Sequence, residues 1–240
     1  MRERTLDLGL LAQTESVFAL SNGHIGLRGS LDEGEPYALP GTYLNSFYEL
    51  RPLPYAEAGY GYPESGQTIV NVTNGKLIRL LVDDEPLDVR YGQLLAHEHE
   101  LDLRAGVLRR RLEWRSSAGK GVRIRSTRLV SVVQRAIAAV LYEVEPLDAP
   151  VRVVVVSEPV ANEPAPAQSD DQRAAAALES PLVAAQDFHH AERVVLVHST
   201  RASGLAMAAG IDHLIDGPRG TDTESESHAD IGRVTVAADL

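Results

Sequence analysis

Carboxylates are the residues of this sequence that most readily suggest chemistry, because glycoside cleavage uses two carboxyl groups, one as an acid and the other as a base or nucleophile. A general acid needs a buried position that raises its pKa. The acidic clusters here stand in polar, turn-like stretches, and charged residues are mostly exposed. We therefore predict surface positions, and no catalytic residue, for Asp32, Glu33, Glu35, Asp83, Asp84, Glu85, Glu98 and Glu100.

Histidines form two short clusters that could bind a metal ion. His97 and His99 alternate with glutamates, so their imidazoles would share one face of a strand, and His189 stands directly before His190. A metal site needs further ligands at a suitable spacing, and neither cluster has a third. We predict that these histidines lie in surface loops and that the chain binds no metal and no cofactor.

The glycine-rich stretch at residues 15–29 is the most distinctive motif. Its residues 17–20 suit a buried strand, and a turn follows because Asn and Gly tolerate positive φ. Glycines after a strand can direct N–H groups at a phosphate. The spacing Gly-x-x-Gly-x-x-Gly matches no phosphate loop, however, so we favour a strand–turn–strand unit with close backbone packing. Its structural residues are Asn22, Gly23, Gly26, Arg28 and Gly29, with Arg28 suited to bind carbonyls or a carboxylate.

A tyrosine-rich segment follows between residues 30 and 66. It holds six of the eight tyrosines of the chain, and its five prolines forbid a long helix. Such a loop can present aromatic rings to a sugar, although tyrosines more often pack a loop onto a sheet with their hydroxyls in water. We name its tip as the candidate ligand-facing part, and the candidate substrate-loop residues are Tyr55, Tyr60, Tyr62 and Glu64.

Short strands must position these residues. Several apolar or β-branched runs divided by turn residues predict an all-β sandwich or barrel. A short helix over 174–178 and an exposed acidic loop over 216–230 interrupt the pattern. The predicted strands are 68–72, 77–82, 101–103, 107–115, 122–130, 137–144, 151–156, 193–198, 204–209 and 233–237.

Composition narrows the class of protein. The 240 residues carry a net charge of −11, which disfavours nucleic acid and anionic membranes as partners. The absence of cysteine excludes disulfides and thiolate sites. No apolar run is long enough to span a bilayer, and no signal-peptide pattern opens the chain. We therefore expect a cytoplasmic protein.

Residues 15–29 closely resemble the opening motif of the N-terminal domain of glycoside hydrolase family 65. That family includes maltose, trehalose and kojibiose phosphorylases and related α-glucosidases. The resemblance continues at 40–43, 69–72, 82–87, 101–108 and 123–131. It implies a two-sheet antiparallel super-sandwich, similar to galactose mutarotase, that occupies residues 1–240 as a single domain. It also implies that a catalytic (α/α)6 barrel follows downstream, outside this chain.

The resemblance further implies what the domain does. The general acid and phosphate site of the family lie in the barrel, so no catalytic residue carries over to this chain. The parent enzyme would use inorganic phosphate to cleave an α-linked glucose disaccharide, and the domain would support the barrel, lend it a loop and help to form a homodimer. We also expect the isolated chain to self-associate, because the apolar face that meets the barrel would be uncovered.

Three alternatives stay open. The parent enzyme could be a hydrolase that uses water, or the chain could be a stand-alone carbohydrate-binding module. A mutarotase-like epimerase would need a buried histidine with a carboxylate partner, and the sequence shows none in strong context. The disaccharide is also open, because His24 stands where the family often has Tyr, and Val72-Thr73-Asn74-Gly75 departs from the usual Pro-Asn-Trp.

Overall fold

The computed structural model describes residues 1–52, 59–164 and 180–240. Strands dominate this part of the chain, and its helical residues are a 3-10 turn, Leu8–Leu10, and one short helix, α1, Leu11–Val17. None of the helices described is long and apolar enough to cross a membrane. The predicted helix over 174–178 and Tyr55 lie outside the described residues. The described strands are β1 Arg2–Glu3, β2 Leu20–Ser21, β3 Ile25–Leu27, β4 Thr42–Leu44, β5 Tyr48–Pro52, β6 Ser65–Ile69, β7 Asn74–Val82, β8 Glu85–Pro86, β9 Gln93–Asp102, β10 Val107–Arg115, β11 Gly121–Val130, β12 Ala138–Pro146, β13 Arg152–Val160, β14 Leu182–His190, β15 Arg193–Thr200, β16 Ala206–Asp212, β17 Asp222–His228 and β18 Ile231–Asp239.

These strands pair in antiparallel fashion into several sheets. The first sheet has the order β1-β9-β10-β11-β12, the second β17-β18-β13-β7-β8 and the third β14-β15-β16. A small sheet, β2-β3-β4, carries the glycine-rich stretch, and the ribbon β5-β6, which we call the hairpin arm, carries the tyrosine-rich tip. The all-β class is therefore confirmed.

The second sheet covers the other two and closes the core. At one end, Trp114 and Ile124 of the first sheet pack with Val82 and Val153 of the second. At the other end, Leu196 of the third sheet packs with residues of β18. Burying these side chains removes apolar surface from water, which is the main force holding the layers together. The result is a sandwich-like arrangement.

The alternation of apolar and polar residues predicted two long strands of the first sheet, β10 and β11, well. The prediction 107–115 matches β10, and 122–130 falls one residue short of β11. The side chains of Leu108, Arg110 and Leu112 share the buried face of β10, as the pattern indicated. Period-2 alternation is a strong signal where one face of a sheet meets the core and the other meets water.

Two local predictions were wrong, and one strand was missed. Residues 17–20 are not one strand, because α1 runs to Val17, whose side chain is exposed, and β2 begins only at Leu20. The predicted acidic loop over 216–230 contains β17, an edge strand whose polar residues pair with β18. The strand β14 was not predicted at all. In β17 backbone pairing with a neighbour decided the structure, since strand propensity depends heavily on context.

Candidate functional site

The hairpin arm brings the candidate substrate-loop residues to the surface. Tyr60 is fully exposed, and the side chains of Tyr62 and Glu64 are also exposed. The ring of Tyr62 lies against Gly59, where an added Cβ would come within 2.7 Å of it. The described tip therefore places aromatic rings in water, next to a tightly packed glycine.

The base of the arm is fixed by Glu49, a residue that the sequence did not single out. Its carboxylate is buried and accepts hydrogen bonds from the backbone N–H of Ala202, at 2.9 Å, and of Ser203, at 2.7 Å. The hydroxyl of Ser203 donates to the carbonyl of Tyr48 at 2.6 Å. Burial opposes the charge of Glu49, but these N–H donors hold its pKa below the ordinary value. A charged anchor thus ties β5 to the turn after β15.

The glycine-rich stretch forms the predicted strand–turn–strand unit. Gly23 adopts φ +82°, which glycine tolerates without strain. The side-chain carbonyl of Asn22 accepts the N–H groups of His24 and Ile25, both at 2.8 Å, and its amide donates to the carbonyl of Ser131 at 2.6 Å. The turn is therefore fastened to the loop after β11.

Close packing, which we predicted for the glycines of this stretch, holds for Gly29 and not for Gly26. A Cβ at Gly29 would come within 2.7 Å of Phe18, whereas one at Gly26 would find its nearest neighbour at 3.9 Å. Arg28 behaves as predicted: it donates to the carbonyl of Ala12 at 3.0 Å and to the carboxylate of Glu15 at 3.2 Å.

A buried lysine lies beside this unit. Lys76 of β7 donates from Nζ to Asn74 Oδ1 at 2.7 Å and to Thr42 Oγ1 at 3.0 Å. Asn74 in turn donates to Glu163 at 2.8 Å. Burial lowers the pKa of Lys76 to about 7, and the positive charge of Arg128 adds to the effect. The amine is thus close to half-neutral at physiological pH, and it is enclosed, so it positions the surrounding segments.

A second polar cluster crosses the inner face of the first sheet, and it overturns two predictions. Asp32 and Glu33 were expected at the surface, but both are buried. Arg110 donates to Glu33 at 2.7 Å, and Arg128 donates to Asp32 at 2.8 Å. The hydroxyl of Ser126 also donates to Asp32, at 2.7 Å. A guanidinium on an inward-facing strand position needs a carboxylate partner, since an unpaired buried charge is strongly destabilising.

The sequence did contain a signal that Arg110 has a buried carboxylate partner. Arg110 falls between Leu108 and Leu112 on the core face of β10, so its charge had to be neutralised inside the protein. Burial would raise the pKa of Asp32, yet Arg128 and Arg110 hold it below the ordinary value. For Glu33 burial prevails, and its pKa is raised despite Arg110. Environments that separate two pKa values in this way are typical of acid–base sites.

This cluster is tightly packed. The gap among Asp32, His99 and Arg128 leaves no room for even a water-sized molecule. The prediction of surface positions is confirmed for Glu35, Asp83 and Asp84, which are exposed. Glu85, Glu98 and Glu100 are only half-buried, and the last two lie on β9 and not in a turn. The cluster therefore joins the loop at 30–36 to the first sheet.

The predictions for the two histidine clusters had different outcomes. His97 and His99 share a face of β9, as predicted, but they are buried and not in a surface loop. Burial lowers the pKa of His97 to about 4 and of His99 to about 3, with Arg110 adding to both shifts, so both rings are neutral. His189 and His190 are exposed, on β14 and not in a loop. Across the described ranges, no three potential ligands gather at a metal site.

One buried histidine with a carboxylate partner does exist, contrary to the impression from the sequence. The Nε2 of His198 lies 3.0 Å from Oδ1 of Asp230, and Asn162 donates to the other oxygen of Asp230 at 2.9 Å. The side chain of His198 is fully enclosed. No signal in the sequence placed these residues together, because 32 positions separate the pair. The enclosed ring favours a structural role.

Comparison with known proteins complements this geometry. The model described as "Glycosyl hydrolase family 65, N-terminal domain" matches residues 1–240. An uncharacterized glycosyl hydrolase of Mycobacterium tuberculosis is 59% identical over 240 residues, which are 100% of this chain and 30% of the relative. An alpha,alpha-trehalose phosphorylase of Thermoanaerobacter brockii is 31% identical over 222 residues, which are 90% of this chain and 28% of the relative.

A solved structure gives the same picture of the fold. It is named as a putative kojibiose phosphorylase from human microbiome and superimposes with a TM-score of 0.83 at 19% identity. The superposition covers 100% of this chain and 29% of the other. The chain thus spans about 30% of the length of the relatives that it matches.

Proposed function

This chain belongs to glycosyl hydrolase family 65 as its N-terminal domain, and from that premise we propose that the whole protein is a phosphorylase of α-linked glucose disaccharides. It would use inorganic phosphate as co-substrate and release β-glucose 1-phosphate with inversion. The similarity to an alpha,alpha-trehalose phosphorylase, and the names of maltose and kojibiose phosphorylases among the relatives, support this proposal. We further propose a cytoplasmic homodimer.

The part assigned to this domain is to support the catalytic region and to lend it the hairpin arm. One observation carries this assignment: the arm is anchored at its base by a buried carboxylate, Glu49, while Tyr60 and Tyr62 at its tip are exposed. A rigid base with an exposed aromatic tip suits a loop that closes on a sugar ring, because an aromatic face offers apolar surface at little cost in entropy.

Kinetics of the full-length protein test the role of the arm. Replacing Tyr60 and Tyr62 together by Ala removes two aromatic rings, and we expect kcat/KM for the disaccharide to fall roughly tenfold, as the loss of about 1.4 kcal/mol of transition-state stabilisation would cause. Tyr91→Ala is the matched control, since Tyr91 is also exposed but lies outside the arm. Unchanged kinetics in the arm variant would refute the assignment.

A second candidate reaction is hydrolysis by water, which the printed name of the 59% identical glycosyl hydrolase favours. Maltose, trehalose, kojibiose and nigerose, each with and without phosphate, separate the two reactions. Release of glucose 1-phosphate that depends on phosphate supports phosphorolysis, and release of free glucose alone supports hydrolysis. The 240-residue chain, offered the same sugars, should be silent. Sugar binding without turnover by the full-length protein would point to a carbohydrate-binding module.

A further inference from the structure

A groove of about 470 Å³ borders the edge of β9 in the first sheet. Strand β1 pairs with this edge at only two residues, so in the described part of the chain β9 has no neighbouring strand on that side over residues 93–98. A bulge at Leu95 also shifts the register of β9 against β10. Bulges bend a strand and redirect its side chains, and they are common beside binding sites. The groove therefore lies where the regular sheet is interrupted.

Basic side chains dominate this groove, which we call the arginine groove. The side chains of His97 and Glu98 point to opposite faces of β9, so the groove wraps around the edge of the strand. It contains three arginines and one histidine against one glutamate, although the chain as a whole carries a net charge of −11. The residues that line it are Arg2, Arg4, Ala96, His97, Glu98 and Arg111.

The three arginines differ in how far their charge is already compensated. Arg2 and Arg111 pair with neighbouring glutamates, at distances from 2.8 to 3.1 Å. They keep further donors, because a guanidinium has five N–H groups. Arg4 is exposed and makes no ion pair within the ranges that the structure describes. An anion that enters the groove would therefore meet one guanidinium that no carboxylate compensates.

His97 is the second group in the groove without a partner. The residue is only 8% exposed, and among the described residues neither of its ring nitrogens has a hydrogen-bond partner. Buried polar groups are nearly always paired, so such a ring points to a partner that binds from outside the chain. Burial lowers the pKa of His97 to about 4, with the positive charge of Arg110 adding to the effect. The neutral ring donates from one nitrogen, and an anionic oxygen would accept that hydrogen bond.

We propose that the arginine groove binds the phosphate group of a small molecule, through Arg4 and His97 with Arg111 beside them. Guanidinium groups match the oxygens of phosphate in two-pronged hydrogen bonds. A phosphate offers enough oxygens for several donors at once, whereas a carboxylate offers two. The volume of about 470 Å³ falls in the usual range of small-molecule sites, about 300–1,000 Å³. The source can therefore be free phosphate or a sugar phosphate, and the inference does not depend on which reaction the full-length protein catalyses.

Chemical modification of arginine tests the proposal in the full-length protein. Phenylglyoxal reacts with accessible guanidinium groups, and peptide mass spectrometry reports the rate at Arg4 separately from every other arginine. Arg135 is the control, since it is also exposed but lies outside the groove. Inorganic phosphate, glucose 6-phosphate and acetate are each titrated at an ionic strength that NaCl keeps constant. Because the rate is read at one residue, phosphate that binds elsewhere in the protein does not enter the measurement.

At a phosphate concentration about ten times the dissociation constant, we expect Arg4 to react about tenfold more slowly, because about a tenth of the sites stay empty. The rate at Arg135 should not change. Half-protection by glucose 6-phosphate at a lower concentration than by phosphate would assign the site to a sugar phosphate, and an equal or higher concentration would assign it to free phosphate. No protection by either phosphate probe, or equal protection by acetate, would overturn the proposal.

Substitution of His97 tests the buried part of the groove. His97→Phe keeps a ring of similar size and removes both nitrogens, so half-protection should require about tenfold more phosphate, because a hydrogen bond to a charged group is lost. An unchanged requirement in this variant would overturn the proposal. If it folds poorly, Arg111→Gln replaces it, with Arg193→Gln as the matched control, since Arg193 is also exposed and paired with one carboxylate but lies outside the groove. An Arg111→Gln protein that behaves like this control would likewise overturn the proposal.

Discussion

Lys76→Met offers a direct test of the buried amine. The pKa of Lys76 falls from 10.5 to about 7 in the folded chain. One pKa unit corresponds to 1.36 kcal/mol, so protonating Lys76 in the folded chain lowers the free energy of unfolding by about 5 kcal/mol. Methionine fills a similar volume, and Asn74 Oδ1 keeps the backbone N–H of residue 76 as a donor. The variant therefore removes the titration with little other damage.

The direction in which stability changes with pH follows from the number of protons that the folded and unfolded chains bind. Between pH 7 and pH 10.5 the unfolded chain holds a proton on Lys76 that the folded chain has released. The free energy of unfolding of the wild type therefore rises with pH in this window, by up to about 1.4 kcal/mol per unit, and it falls again as the pH is lowered toward 7. Below pH 7 both states are protonated, and the contribution is constant. Lys76→Met lacks this slope.

Urea unfolding at half-unit steps from pH 6.5 to 9.5 measures the effect as the difference between the two proteins. We expect that difference to change by about 3 kcal/mol over the range, in favour of the wild type at high pH. The chain has only one other lysine, Lys120, and it is in contact with water, so Lys120→Met is the control. Parallel pH profiles for wild type and Lys76→Met would refute the reasoning.

Three further predictions concern the buried carboxylate, the glycines and the apolar face. Asp32→Asn should lower the free energy of unfolding by about 3–5 kcal/mol, because the buried guanidinium of Arg128 loses its carboxylate partner, whereas Arg110 keeps Glu33. The stabilisation by Asp32 is complete above its unfolded pKa of 3.8 and is lost as the pH falls through its lower folded value. Chemical denaturation measures the loss of stability, with the exposed Asp216→Asn as the control. A loss in Asp32→Asn no larger than that in the control would contradict this role of Asp32. Gly29→Ala should cost about 1–3 kcal/mol, because its Cβ meets Phe18, whereas Gly26→Ala should be nearly neutral; equal melting temperatures would show that the contact relaxes. The 240-residue chain should self-associate, because the outer face of the third sheet leaves Phe188, Val195 and Val197 partly or fully exposed to water. Ala208→Glu, beside Val197 on the same face, should reduce the association. A clean monomer of wild type in light scattering at high concentration would count against it.

Local patterns in the sequence predicted much of the fold. Alternation located β10 and β11, because each has one face in the core and one in water. The turn at Asn22 and Gly23 followed from the backbone preferences of those two residues. The strand β17 escaped prediction because its polar sequence carries no apolar pattern, and it forms by pairing with β18.

The candidate site was predicted less completely, because its decisive contacts are remote in sequence. Glu49 looked like any exposed loop glutamate until the turn after β15 supplied its N–H donors, more than 150 positions later. Lys76 stands in a strand with no nearby acidic residue, so its burial was not visible from its neighbours. The roles of Tyr60, Tyr62 and Glu64 at a sugar site stay predictions.

By itself, the sequence determined the all-β class, the glycine-rich turn and the positions of long strands such as β10 and β11, because these depend on interactions within a few residues. Only the tertiary structure decided which charges are buried. Asp32 meets Arg110 and Arg128 across 78 and 96 positions, and a carboxylate in a turn-like segment is exposed or buried according to whether a distant guanidinium compensates its desolvation. Long-range charge pairing therefore decided what local composition had assigned to the surface.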